Sequence, residues 1–193
     1  MGYKMILASA SPRRQQLMKD CGFEFEVRTK SVEEIYPAGL PAEEVPEYLA
    51  RLKASAFRED LKEDELLITA DTIVNIGAKV IGKPGSREAA IQMLGELSGK
   101  KHVVISGLCL TTKELQRSCS VFTDVYFRTL SEKEIIYYVD RYKPFDKAGA
   151  YGIQEWIGYV GIERIDGSFY NVMGLPVQVL YQQLKEFGVD MCQ

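Results

Sequence analysis

The chain has 193 residues, 46% of them hydrophobic, and a formal net charge of -3, which suits one domain, or one domain with two lobes, around a substantial core. That balance gives no support to a general nucleic-acid or membrane-surface role, and no apolar run approaches the roughly eighteen residues of a membrane span. A single histidine, His102, argues against a Ser–His–Asp triad or a histidine-rich metal site and leaves carboxylates, lysines, arginines and a hard metal ion to carry any catalysis.

The four cysteines (Cys21, Cys109, Cys119, Cys192) form no CxxC pair. With no signal peptide at the N-terminus, they read as reduced thiols of a cytoplasmic protein.

An apolar run over residues 5–8 predicts a buried strand. It stops at Ser9-Ala10-Ser11, and Pro12 follows at the position a helix tolerates best. Ser11 reads as an N-cap and Gly22 as the C-terminal stop. Arg13 and Arg14 fall in the first turn, where cations oppose the helix dipole, so local stability does not explain them. A phosphate does, since helix N-termini and guanidinium forks both recognise it. The other reading of the same residues is a capped surface helix with two solvated arginines.

A half-buried strand is expected over residues 23–29, then a loop over 30–41 that carries the acidic pair Glu33-Glu34. Taken alone, that pair reads as solvated. A helix is expected over residues 42–60, with Val45, Leu49, Leu52 and Phe57 at helical spacing and Lys53 as a surface lysine. Residues 66–70 form an apolar strand, and Asp71-Thr72 is expected at its end. A charge there is costly unless paired, hydrogen-bonded or metal-bound, and ligands of open α/β sheets bind at that end.

A hairpin is expected near Asn75-Ile76-Gly77, and a tight turn at Gly82-Lys83-Pro84-Gly85 gives Lys83 a short, rigid base. Ser86 should cap the next helix, and residues 103–128 read as two long strands joined around Lys113-Glu114. Ser131-x-x-Glu134 has the capping-box form. The loop that runs to Gln154 is rich in small residues and embeds Asp146 and Lys147; its glycines allow close approach of backbone to a ligand. A second hairpin is expected at Asp166-Gly167, and Gly174-Leu175-Pro176 should open a terminal helix ending near Gly188. The pattern predicts an α/β fold, a single domain over residues 1–193 with a mixed β-sheet. Neither GxxxxGK[ST] nor GxGxxG occurs, so P-loop and Rossmann modes of nucleotide binding are unavailable.

Taken together, residues 7–14 (LASASPRR), Ala70-Asp71-Thr72, Gly82-Lys83-Pro84, residues 146–154 (DKAGAYGIQ) and residues 171–176 (NVMGLP) closely resemble the Maf family, whose members hydrolyse nucleoside triphosphates to monophosphate and pyrophosphate. The match covers essentially the whole chain. The resemblance implies a fold related to the inosine-triphosphate pyrophosphatases, with a cleft between two lobes. It implies that Ser9, Arg13, Arg14, Lys53 and Lys83 bind the triphosphate and that Asp71 activates water. Glu34 becomes a helper or a ligand, with Asp71, for Mg²⁺ or Mn²⁺, and Glu33 is the alternative for that role. Lys53 enters through the LAxxKA pattern at residues 49–54, which reverses its reading as a plain surface lysine. Arg13, Thr72 and Gln154 match the branch acting on dTTP and UTP, whereas the 7-methyl-GTP branch has Trp for the first arginine and Glu for the glutamine. Asp146 and Lys147 join the expected substrate contacts. The partner implied is a nucleoside triphosphate, and related folds suggest a homodimer. Association of some family members with arrested septum formation leaves a second reading, a nucleotide- or nucleic-acid-binding regulator without turnover.

Overall fold

The computed structural model describes residues 2–77 and 79–189; Cys192 lies outside them. The elements are β1 (Lys4–Leu7), α1 (Pro12–Asp20), β2 (Phe25–Val27), α2 (Val45–Ser55), β3 (Glu65–Ile76), β4 (Lys79–Ile81), α3 (Arg87–Leu97), β5 (Lys101–Thr111), β6 (Gln116–Phe127), α4 (Glu132–Tyr142), α5 (Trp156–Gly161), β7 (Ile162–Asp166), α6 (Phe169–Met173) and α7 (Val177–Glu186). A single 3-10 turn covers Ala148–Ala150. Among the described residues the strands form one mixed sheet in the order β2-β1-β3-β5-β6-β7, with β4 paired to β3. β1 is parallel to β2 and β3, while β4 and β7 run antiparallel to their neighbours. The expected mixed α/β architecture is the one observed.

The chain separates into two compact units: residues 1–71, 106–121 and 174–193 form the first, and residues 72–105 and 122–173 the second. In the first unit, Met5, Ile6 and Leu7 of β1 are buried, and the parallel strands β2 and β3 pair with its two edges. Ile6, Ala50, Ala54, Phe57, Leu61, Leu67 and Cys109 pack into one cluster. The small residues Ala50 and Ala54 let α2 approach the sheet closely. Gly107 extends that approach, since a Cβ there would lie 2.1 Å from the Pro46 carbonyl carbon at the start of α2. Arg28 and the buried Glu65 form a two-pronged ion pair, with Nη2–Oε1 at 2.9 Å and Nη1–Oε2 at 3.1 Å. It ties the segment after β2 to the start of β3, which flank β1, and holds the Glu65 carboxyl down at about 2.

The second unit has its own core, in which α3, α4 and α5 contribute Leu94, Leu97, Ile135, Val139 and Ile157. Ser86 caps α3 by accepting from the Ala89 amide, and Ser131 and Glu134 close the expected capping box on α4.

Four local expectations are corrected. The strand carrying Asp71 does not end there but runs on to Ile76; Lys53 on α2 pairs with the carboxylate, so the charge need not terminate the strand. Asp166-Gly167 does not turn a hairpin: Gly167, at φ +127°, leads from β7 into the short α6. The strand expected over 23–29 covers only Phe25–Val27, matched by its four-residue partner β1. The helix expected over 42–60 covers Val45–Ser55, and i→i+3 turns replace it from Ala54 to Asp60.

Candidate active site

In the first unit, the strand-to-helix joint after β1 places Ser9, Arg13 and Arg14. Pro12 occupies the first turn of α1 as expected, but Ser11 makes no side-chain cap bond. The Ser11 amide instead donates to Ser9 Oγ at 3.2 Å, and Gln15 Nε2 donates to the Ser9 carbonyl at 3.0 Å. Ser9 is thereby fixed at the helix entrance, where unpaired N–H groups favour an anion. Arg14 is more constrained than the sequence implies. Its Nε donates to the Gly174 carbonyl at 2.7 Å and its Nη1 to the Ala70 carbonyl at 2.8 Å. Burial lowers its pKa, and the Asp71 charge works against that shift. Arg14 therefore brings positive charge to Asp71 while locking the chain before Asp71 and at Gly174.

Lys53 is the centre of this group. Its Nζ lies 2.5 Å from Asp71 Oδ1 and 2.9 Å from Glu34 Oε1. The loop, α2 and β3 thus converge on one ammonium. Thr69, two residues before Asp71 and on the same face of β3, donates from Oγ1 to the Ala50 carbonyl at 2.7 Å. The strand accordingly grips α2 at two points one helical turn apart. Of the acidic pair, Glu34 is the member that meets Lys53.

Two carboxylates that already meet around a cation are hard oxygen donors of the kind Mg²⁺ or Mn²⁺ takes. Among the described residues no cluster of three or more His, Cys, Asp or Glu side chains forms a cation site. The donor set fits an ion of the kind that shares substrate phosphates and keeps water ligands, rather than one enclosed by protein.

The second unit holds Thr72, Lys83, Asp146, Lys147 and Gln154. Lys83 is exposed on its turn, and the Gly82 carbonyl accepts from the Gly149 amide at 3.0 Å, which fastens that turn to the 147–155 loop. Lys147 is buried, with its Nζ 2.9 Å from Asp146 Oδ1 and 3.1 Å from Glu155 Oε1. Gln154 Oε1 is buried and has no hydrogen-bond partner among the described residues. An acceptor in that state costs free energy until a donor arrives. Glu155, which meets Lys147, and Tyr138, whose hydroxyl donates to Glu155 Oε2, are neighbours of this group that sequence reasoning misses; the only local signal is that Glu155 directly succeeds Gln154. His102, excluded above from a triad, is buried among aromatic rings, with Nε2 2.8 Å from the Tyr151 hydroxyl.

The sequence model of the Maf-like protein family matches residues 4–187. A dTTP/UTP pyrophosphatase of Bacteroides thetaiotaomicron is 58% identical over 185 residues, covering 95% of this chain and 96% of that protein. One from Porphyromonas gingivalis is 51% identical over 189 residues, covering 96% and 95%. Among solved structures, the Ham1 protein of Staphylococcus aureus aligns with a TM-score of 0.47 at 16% identity over 64% of this chain and 71% of that one.

Proposed function

The chain belongs to the Maf-like protein family, and from that premise we propose that it hydrolyses dTTP and UTP to the nucleoside monophosphate and pyrophosphate. The carrying observation is full-length similarity, 58% and 51% identity, to relatives named dTTP/UTP pyrophosphatase. The Lys53 geometry supports it, because a binding regulator has no need of a carboxylate held 2.5 Å from a lysine on a buried strand. The regulator reading is therefore not favoured.

In this reading the triphosphate enters with about four negative charges, and Arg13, Arg14, Lys53 and Lys83 offset them. Ser9 and the entrance of α1 add oriented donors to a phosphate. Asp71 accepts the proton of the attacking water, and Lys53 steadies the carboxylate in line with that role. As the bond between the α- and β-phosphates breaks, the cationic side chains stabilise the charge that develops on pyrophosphate. Glu34 and Asp71 would hold Mg²⁺ or Mn²⁺, which when bound supplies a more acidic water and further charge neutralisation. Lys147 and Asp146 are assigned to substrate contact.

Gln154 is assigned to base reading. Uracil and thymine present an N3–H donor beside a carbonyl acceptor, and a glutamine amide offers the complementary pair. The buried, unpartnered Oε1 awaits such a donor. Cytosine has a bare N3 and an amine in place of that carbonyl, so it reverses both bonds. Sites built to hydrogen-bond a ligand reject analogues that leave their polar groups unpaired.

Pyrophosphate release across a panel of nucleotides tests the reading. Turnover of dTTP and UTP well above CTP, ATP and GTP is expected; binding without turnover, or a purine preference, would refute it.

A further inference from the structure

The second unit contains a closed polar circuit that spans the loop carrying Lys147 and Gln154. Tyr138 lies on α4 and is buried; its hydroxyl donates to Glu155 Oε2 and accepts from the Gly152 amide at 3.0 Å. Glu155 turns its other oxygen, Oε1, to Lys147 Nζ at 3.1 Å. One phenol and one carboxylate thus hold the loop at its start (Lys147), its middle (Gly152) and its end (Glu155). The hydroxyl uses its single donor and an acceptor position, so the circuit specifies one arrangement. Packing adds a second constraint, since a Cβ on Gly152 would lie 2.9 Å from the Glu155 carboxyl carbon. Gln154 sits inside this clamp, between Gly152 and Glu155.

The problem the circuit addresses is the placement of Gln154. A glutamine on a mobile loop can shift as well as turn its amide, and so follow cytosine as readily as uracil. Discrimination needs the backbone on both sides of Gln154 to be fixed before the base arrives. We propose that Tyr138 and Glu155 are positioning residues that clamp the 147–155 loop so that Gln154 meets the base from one fixed backbone position and Lys147 keeps its place. The proposal rests on Gln154 as the base reader and adds the residues that make its reading selective.

Two variants test it, with hydrogen exchange and nucleotide discrimination as separate readouts. Tyr138→Phe preserves the ring and removes both hydroxyl bonds. Glu155→Gln preserves length and an acceptor for the hydroxyl but removes the charge facing Lys147. Both should raise amide exchange in a peptide covering 147–155 by about tenfold with exchange in α3 unchanged. Discrimination for UTP over CTP in kcat/KM should fall by about tenfold, chiefly through a higher KM for UTP, with kcat changing less than about threefold. Unchanged exchange in both variants would overturn the clamp whatever Gln154 does. Faster exchange with unchanged discrimination would overturn its role in selectivity. Gln154→Glu is the internal control, expected to lose discrimination with exchange unaltered. Should Gln154→Glu retain discrimination, the base-reading assignment falls and selectivity is not the clamp's purpose, while the exchange result still reports on the clamp itself.

Discussion

The Lys53 ammonium lies 2.5 Å from the Asp71 carboxylate, and Glu34 meets the same ammonium at 2.9 Å. A carboxylate in the middle of a buried strand is tolerable because a cation on the neighbouring helix compensates it. Asp71→Asn keeps the shape and leaves Lys53 with Glu34, so the fold should survive. Turnover of dTTP should drop by roughly 10²–10⁴, the usual worth of a positioned general base, while KM changes little. Steady-state kinetics decide it: near wild-type kcat in the variant would remove Asp71 from the base role.

The two arginines of α1 should part company on substitution. Arg13 opposes the helix dipole, so Arg13→Ala should weaken triphosphate binding by roughly 2 kcal/mol, in the range of a hydrogen bond to a charged group, and leave the melting temperature level or slightly higher. Arg14 also donates to the Ala70 and Gly174 carbonyls. Arg14→Ala removes those donors and should cost roughly 1–3 kcal/mol of stability for each carbonyl left without a replacement, in addition to the loss of affinity. Thermal melts paired with KM for dTTP separate the two. Equal melting temperatures for the two variants would show that the carbonyl contacts of Arg14 carry no stability.

Placement of Lys53 depends on how closely α2 meets the sheet. A Cβ on Gly107 would lie 2.1 Å from the Pro46 carbonyl carbon, and backbone on both sides leaves no flexible end to move aside. Gly107→Ala should force α2 away, lowering stability by roughly 2–4 kcal/mol as overpacking and backbone displacement do, and turnover with it. Thr69→Val is the milder counterpart. It keeps the volume, removes the hydrogen bond to the Ala50 carbonyl and should cost about 1–2 kcal/mol. Denaturant melts of both variants provide the measurement, and a wild-type midpoint for Gly107→Ala would refute the close-approach argument.

The features legible in the sequence are those encoded within a few residues. Pro12 at a helix start, Ser86 as a cap and the Ser131–Glu134 box each announce a local geometry, and each is found there. The features that are not legible depend on partners far along the chain. Nothing near Asp71 shows that Lys53 will neutralise it, so the residues around it point to a strand end where the strand in fact continues. Asp-Gly chemistry at 166–167 fixes a turn but not the element beyond it, which is a short helix in place of a strand. Arg28 finds Glu65 thirty-seven positions away, and Tyr138 finds Glu155 seventeen away. Neither spacing has a helical or strand period to reveal it.

Acid sensitivity should originate at His102. Its ring is buried against Phe127 and Tyr151, Nδ1 has no hydrogen-bond partner among the described residues, and burial pushes its pKa down to about 4. The nearby charge of Asp124 works in the opposite direction and is outweighed. In the unfolded chain an imidazole titrates near 6.5. Above that pH both states are neutral and His102 contributes no pH dependence. Between about 6.5 and 4 the unfolded chain takes up a proton that the folded chain refuses, so stability falls as pH falls. The difference corresponds to at most roughly 3.5 kcal/mol, at about 1.4 kcal/mol per pKa unit. Below pH 4 this contribution levels off. The Glu65 carboxyl, held at about 2 by Arg28, then adds a second loss that develops from about 4.5 downward, because the unfolded chain's carboxyl takes up a proton there that the folded one refuses. Urea melts at half-unit steps from pH 7.5 to 4.5 should therefore slope downward for the wild-type protein and much less for His102→Gln, with the two curves converging in slope above pH 7. Parallel curves through the 6.5-to-4.5 window would assign the acid limb to other groups.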